Sequence, residues 1–303
     1  MRHPFLLRKN NFPCKVFDTC ITRLIFLVLV LLISNCSLPV KRDWHTVDEP
    51  TNKKGEVYGS YSAGCLDGAI SLSASSLYFQ AMRPSRKRYY GHPDLIQFLE
   101  EYSKTLYDKG LGSLAIGDLS QARGGPMSSG HASHQLGLDA DIWFLRFTES
   151  EKKALSLHDT ESIPATTMVN DDSISINQNN WHKDNTLALK FAAINMKVER
   201  VFVNYVIKKA LCESHKGEKW LSKIRPWWGH TYHYHVRLAC PNNSLYCNQQ
   251  NPVTQTDGCD ETLDWWYSEE ALQTREKKSM KEASDVKLPL QCEKVLQSDS
   301  MRN

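Results

Sequence analysis

Five of the chain's eleven histidines fall in two short stretches, Gly130-His131-Ala132-Ser133-His134-Gln135-Leu136-Gly137-Leu138-Asp139-Ala140-Asp141 and His230-Thr231-Tyr232-His233-Tyr234-His235. Imidazoles and carboxylates at such density bind metal ions or move protons. His233 and His235 are two apart, so on a strand both rings leave the same face about 6 to 7 Å apart and reach one site. Asp139 and Asp141 likewise share a strand face, opposite the apolar Leu138, Ala140 and Ile142. If the two strands meet, His134, Asp141 and His235 offer two nitrogens and one oxygen. That set suits Zn2+ and leaves a fourth tetrahedral position for water, which separates a catalytic site from a closed structural one. Bound zinc lowers the pKa of water from about 16 to about 7 and polarises a carbonyl, so attack on an amide is the chemistry expected. His233, beside the ligand His235, is then placed to act as the base that steers the water proton. His230 is either a helper in the same pocket or a ring packed under Trp227 and Trp228; His131 is either a ligand of an auxiliary metal or a surface residue. Asp139 reads as a partner that orients a histidine. A single strand histidine is ordinarily structural, and it is the joint presence of two tracts that favours chemistry.

These side chains need strands and helices to hold them. Leu138, Ala140 and Ile142 alternate with Asp139 and Asp141, and Tyr232 to Leu238, Arg200 to Val203 and Leu114 to Ile116 read as further strands. His92-Pro93-Asp94 opens a helix in which Leu95, Ile96, Leu99, Tyr102 and Leu106 recur at helical spacing, ending at Gly110. Thr148 with Glu151 forms a capping box, and Leu187 to Ile194 is another apolar helix. Helices and strands mix without regular βαβ alternation, so the expected fold is α+β, a single domain with a central antiparallel sheet flanked by helices. Trp143, Trp227 and Tyr232 either line the cleft or belong to the core.

The chain has 303 residues, of which 41% are hydrophobic and 23% charged, which excludes a disordered chain or a polytopic membrane protein. Arg2, Arg8, Lys9, Lys15 and Arg23 precede Leu24 to Ile33, a run of ten apolar residues. Ten residues of helix cover about half of a ~30 Å hydrocarbon core, so residues 1–36 read as an export signal or membrane leader. Cys36 stands where a lipoprotein would be acylated, which leaves attachment through the leader or a lipidated Cys36 open. Residues 37–303 carry 32 cations against 33 acids, so nothing in the charge calls for nucleic acid. A single catalytic-size domain spans residues 40–270, and 271–303 is a charged C-terminal tail tethered through Cys292. Past the leader, Cys65, Cys212, Cys240, Cys247, Cys259 and Cys292 are even in number, which in an exported chain suggests three disulfides of unspecified pairing.

His134 and Asp141 in His-x6-Asp spacing, Gly137 three residues after the first, and His233-Tyr234-His235 far downstream resemble the fold group of lysostaphin-type peptidases, D-Ala-D-Ala metallopeptidases and the hedgehog amino-terminal domain. More closely, Tyr90-Gly91-His92-Pro93-Asp94-Leu95, Gly130 to Gln135, Arg225-Pro226-Trp227 and His233 to Leu238 resemble the penicillin-insensitive murein endopeptidases, from about Trp44 to Cys292. The resemblance implies a periplasmic zinc peptidase that cuts D-alanyl to meso-diaminopimelyl cross-links of peptidoglycan. It places the zinc ligands on His134, Asp141 and His235, the catalytic histidine on His233 and a further active-site histidine on His230. It places additional metal-binding positions on His131 and Asp172, while Ser175 stands where the family carries another histidine. It also implies the pairs Cys65 with Cys292, Cys212 with Cys259 and Cys240 with Cys247, and it leaves a homodimer open. Two rivals remain. A D,D-carboxypeptidase would need a cationic pocket for a free carboxylate, from Arg123 or Arg237; a non-catalytic zinc-stabilised wall-binding module would need no base at all.

Overall fold

The computed structural model describes residues 42–242, 244–280 and 287–298; the expected leader and Cys36 lie outside these residues. Hairpin β1 (Glu56–Ser60) and β2 (Ala63–Asp67) stands beside a small pair, β3 (Ile70–Ser71) with β5 (Tyr90–Gly91). The remaining strands are β4 (Phe79–Ala81), β6 (Ser113–Ile116), β7 (Asp139–Phe147), β8 (Val198–Asn204), β9 (Ile224–Trp227) and β10 (His233–Leu238). They form one six-stranded sheet in the order β4-β6-β7-β10-β8-β9. The helices are α1 (Pro93–Asp108), α2 (Glu149–Ala154), α3 (Leu157–Ser162), α4 (Lys183–Ile194), α5 (Tyr205–His215), α6 (Glu269–Met280) and α7 (Leu290–Gln297).

The fold is α+β, and the four central strands, β6 to β8, are antiparallel as the alternation implies. Both edges differ: β4 runs parallel to β6, and β9 parallel to β8. A parallel pair needs a crossover, and α1 between β4 and β6 and α5 between β8 and β9 supply it. These edge strands have three and four residues, too few to show a period.

Helix α1 forms because Pro93 suits its first turn and the His92 ring accepts from the Asp94 N–H at 3.1 Å. It ends at Gly110, which adopts a φ of 75° that a side chain would strain. Its inner face buries Leu95, Ile96, Phe98, Leu99, Tyr102 and Leu106, each stabilising the fold by about 1.5–3 kcal/mol before entropy is counted. The Tyr102 hydroxyl donates to the Ala188 carbonyl of α4 and accepts from the Tyr234 hydroxyl of β10, both at 2.8 Å. Two helices are thus tied to the strand that carries His233 and His235.

Disulfides join Cys65 to Cys292, Cys212 to Cys259 and Cys240 to Cys247. The first pins α7 against β2, and Cys292, Val295 and Leu296 are buried there. The end of α7 exposes carbonyls that need donors. Buried Arg123 supplies them, its Nη1 donating to the carbonyls of Val295, Leu296 and Ser298 at 2.7–2.9 Å. This part of the expected tail is therefore packed into the body. Among the described residues, no helix is long and apolar enough to cross a membrane.

Candidate metal centre

Strands β7 and β10 are direct neighbours, and their register sets His235 opposite Asp141, Arg237 opposite Asp139 and His233 opposite Trp143. The loop entering β7 brings His131 and His134. His134 has a φ of 71°, a left-handed conformation costing about 1–2 kcal/mol in a residue with a side chain. Two contacts hold it there: its backbone N–H donates to Asp139 Oδ2 at 2.9 Å, and its Nδ1–H donates to the Leu119 carbonyl at 2.6 Å. Gly137 completes the turn at a φ of 63°, where a Cβ would lie 2.4 Å from Leu66 Cδ2.

Three imidazole nitrogens surround one carboxylate oxygen. Asp141 Oδ1 is 3.4 Å from His134 Nε2, 3.4 Å from His235 Nδ1 and 3.5 Å from His233 Nε2. Tetrahedral bonds of about 2.0–2.1 Å would set neighbouring ligand atoms about 3.3–3.4 Å apart. His134 Nε2 and Asp141 Oδ1 are buried, and neither has a hydrogen-bond partner. Because His134 gives its Nδ1–H to Leu119, its neutral ring presents a lone pair at Nε2. A lone pair facing a carboxylate repels unless a cation lies between them, so the donor set fits a divalent metal.

His131 sits beside this group. Its Nε2 is 3.0 Å from Asp118 Oδ2 and its Nδ1 is 3.6 Å from Asp141 Oδ2. Single donor atoms of His131, His134 and Asp141 all lie within 4.8 Å of one another, a spacing that can hold an ion. Two overlapping sets therefore share His134 and Asp141 and differ in His131 or His235. The His235 distance matches a tetrahedral edge better, and its other nitrogen, Nε2, lies 3.1 Å from Asp139 Oδ1, the carboxylate–histidine arrangement that orients a metal ligand.

The electrostatics follow from burial against charge. Burial raises the Asp141 carboxyl, but His233 and His134 outweigh it and hold the group well below the usual carboxylate range. Burial likewise raises Asp139, and Arg237 and His235 more than reverse it. The His235 ring is lowered by burial, yet Asp139 and Asp141 leave it above the ordinary histidine value. Burial pushes His233 down, against the pull of Asp141. His230 is pushed down to about 3 by burial and by His233 and His235, so its ring is neutral. The His230 ring lies 4.9 Å from that of His233 and donates its Nδ1–H to the Trp228 carbonyl at 2.8 Å. It belongs both to the pocket and to the tryptophan turn.

Asp172 does not join the cluster. It is exposed, and its carboxylate accepts from the N–H groups of Ile174 and Ser175 and the Ser175 hydroxyl at 2.5–3.0 Å. A short acid followed by free backbone donors closes a local turn, and Asp172 spends its oxygens there. Trp143 is buried, whereas Trp227 and Tyr232 are about two-fifths exposed, with the Tyr232 ring 4.5 Å from that of His233. Arg123 is committed to the end of α7, and Arg237 donates Nε and Nη2 to Asp139 at 2.7 and 3.1 Å. Asp118 receives Arg86, Arg88 and His131 on one oxygen, a position that no motif in the sequence marks. Its only signal is its place just past the buried strand β6, beside Gly117.

Residues 57–297 match the family described as penicillin-insensitive murein endopeptidase. The chain belongs to that family. Relatives of that name include one from Klebsiella pneumoniae (strain 342), 37% identical over 80% of this chain and 87% of its own. The Haemophilus influenzae relative is 36% identical over 86% of this chain and 90% of its own, and the Pectobacterium atrosepticum relative 39% identical over 75% and 80%. The region shared with the murein endopeptidases runs from β1 to the end of α7, and both histidine tracts lie inside it.

Proposed function

We propose that this chain is a zinc-dependent murein endopeptidase that hydrolyses D-alanyl to meso-diaminopimelyl cross-links of periplasmic peptidoglycan. Membership of the murein endopeptidase family supports the peptidase activity and the substrate class. The observation that carries the metal assignment is the pair of 3.4 Å separations from Asp141 Oδ1 to His134 Nε2 and His235 Nδ1, two of those three atoms being buried without a hydrogen bond. His134, Asp141 and His235 would hold the ion, with His131 as the neighbouring auxiliary donor. Zinc suits two imidazoles and a carboxylate with an open position, and when bound it supplies Lewis acidity toward water and toward an amide oxygen.

The chain's own groups do the rest. Asp139 orients His235 and fixes the backbone of His134. His233, whose imidazole burial pushes toward the neutral form, takes a proton from the attacking water and returns it to the leaving amine. Neutral His230 packs beside it and keeps its own proton on the Trp228 carbonyl. Trp227 and Tyr232, each about two-fifths exposed, offer aromatic surface to a peptide strand.

The carboxypeptidase alternative requires a closed cationic pocket, and both guanidiniums considered for it are engaged elsewhere. Digestion of purified cross-linked muropeptide dimers separates the two. Conversion of dimers to monomers is expected; release of D-alanine alone would overturn the assignment.

A further inference from the structure

Arg86 lies on a short turn at the edge of the histidine cluster, and the function above gives it no task. The turn, Pro84–Arg86, is bounded by Arg83 and Lys87 with φ of 58° and 53°, both left-handed and both strained in residues with side chains. It is nevertheless firmly held. Ser85 donates its N–H and hydroxyl to Glu161 of α3 at 2.7 and 2.8 Å, and Arg83 donates Nη2 to the Ile163 carbonyl at 2.7 Å. Strain maintained by this many contacts implies that the direction of the turn matters.

Both ends of the turn reach the site. At one end the Arg83 guanidinium lies 5.3 Å over the Trp143 ring, which meets Tyr232, the exposed neighbour of His233. At the other, Arg86 Nη1 contacts Asp118 Oδ2 at 3.1 Å, and the same oxygen is 3.0 Å from His131 Nε2. Asp118 is already served without Arg86. Arg88, 13% exposed at its side chain, also lies 3.1 Å from that oxygen and is anchored through Nη2 to Ser129. Two guanidiniums thus share one carboxylate, which leaves an excess positive charge on the more exposed of them. That one is Arg86, with half its side chain in solvent and a hydrogen bond from Nη1 to Asp118. A guanidinium carries five N–H donors in a rigid fork, so its outer edge remains available to a second anion.

We propose that Arg86 is a specificity-determining residue that binds a free carboxylate of the peptide substrate at the rim of the histidine site. The proposal rests on the peptidase reading above. The fork matches carboxylate geometry, and the three contacts Arg86–Asp118, Asp118–His131 and His131–Asp141 connect it to the histidine cluster. Because Arg86 is open to solvent on one side, it suits a carboxylate on a chain that continues past the site rather than a terminal group in a closed pocket.

The test uses cross-linked disaccharide-peptide dimers whose diaminopimelyl carboxylate is either free or amidated. The wild-type chain is expected to favour the free dimer, and Arg86→Gln to reduce that preference roughly tenfold through KM, as loss of one charge-assisted contact implies. Arg86→Lys, which keeps the charge without the fork, is expected to fall between them. An unchanged ratio in Arg86→Gln would overturn the proposal. If the wild type cleaves neither dimer, the peptidase reading falls instead. Equilibrium binding of the same two dimers to wild type and Arg86→Gln then decides the carboxylate contact by itself: a lost preference supports it and equal preference refutes it.

Discussion

Replacing Asp139 by asparagine keeps the shape of a fully buried side chain and removes its charge. The carboxylate takes Arg237 Nε and Nη2 at 2.7 and 3.1 Å and the His134 N–H at 2.9 Å, with His235 Nε2 at 3.1 Å. An amide has one accepting oxygen, so it cannot serve all four, and its NH2 would face a donor. Arg237, 6% exposed, would lose the carboxylate that takes two of its nitrogens. Breaking a buried pair on one side costs about 3–5 kcal/mol. For a domain of this size each kcal/mol moves Tm by about 2–4 °C, so Asp139→Asn should melt roughly 10 °C below wild type. Urea unfolding of wild type, Asp139→Asn, Arg237→Gln and the double variant, all in chelator, isolates this term from metal binding. The double variant should be more stable than the sum of the singles predicts, by about 2 kcal/mol. Agreement with additivity to within about 0.5 kcal/mol would refute the claim that Asp139 and Arg237 act as one buried unit. The same substitution should weaken metal binding about 10–100-fold, because His235 loses the partner that orients it.

His233→Ala should retain metal and fold while losing turnover of muropeptide dimers by at least about a hundredfold; unchanged turnover would remove His233 as the base, and absence of turnover in the wild type as well would favour a binding module over an enzyme. Lys208 is buried, donates Nζ to the Leu221 carbonyl at 2.9 Å and is pushed down to about 8 by burial and by Arg225. The unfolded chain holds that proton more tightly, so wild-type stability should rise by up to about 3 kcal/mol as pH climbs from 8 to 10.5. Lys208→Met lacks this increment, and urea unfolding of both proteins at pH 7 and pH 10 measures it; parallel profiles would sink the assignment. Cys65→Ser/Cys292→Ser removes a link between residues 227 apart. It should cost about 2–5 kcal/mol and release α7 to limited proteolysis, which mass spectrometry of the C-terminal fragments reads directly.

The centre of the site is legible in the sequence because strand geometry has period two. His233 with His235, and Asp139 with Asp141, had to share faces, and only the meeting of β7 and β10 was left to be found. The contacts that hold these side chains are far less legible. The Leu119 carbonyl that fixes the His134 tautomer is a backbone group with no residue signature, and Asp118 reaches His131 from a different loop. His92 stands in a motif beside Gly91 and Pro93, yet its ring is a helix cap, its Nδ1 accepting from Asp94 and its Nε2 donating to the Gly55 carbonyl at 3.2 Å. Asp172 has the chemistry of a ligand and the surroundings of a turn, a distinction that depends on local backbone direction. The parallel edges escape notice because β4 and β9 are too short for periodicity, and the docking of α7 depends on Arg123, far away in the chain.

Metal content and cleavage measured on the same purified protein test the central claim most directly. About one zinc per chain is expected in wild type, with little in His134→Ala or Asp141→Ala. Dimer cleavage should vanish on chelation and return with zinc. Full cleavage by metal-free wild type would contradict the account.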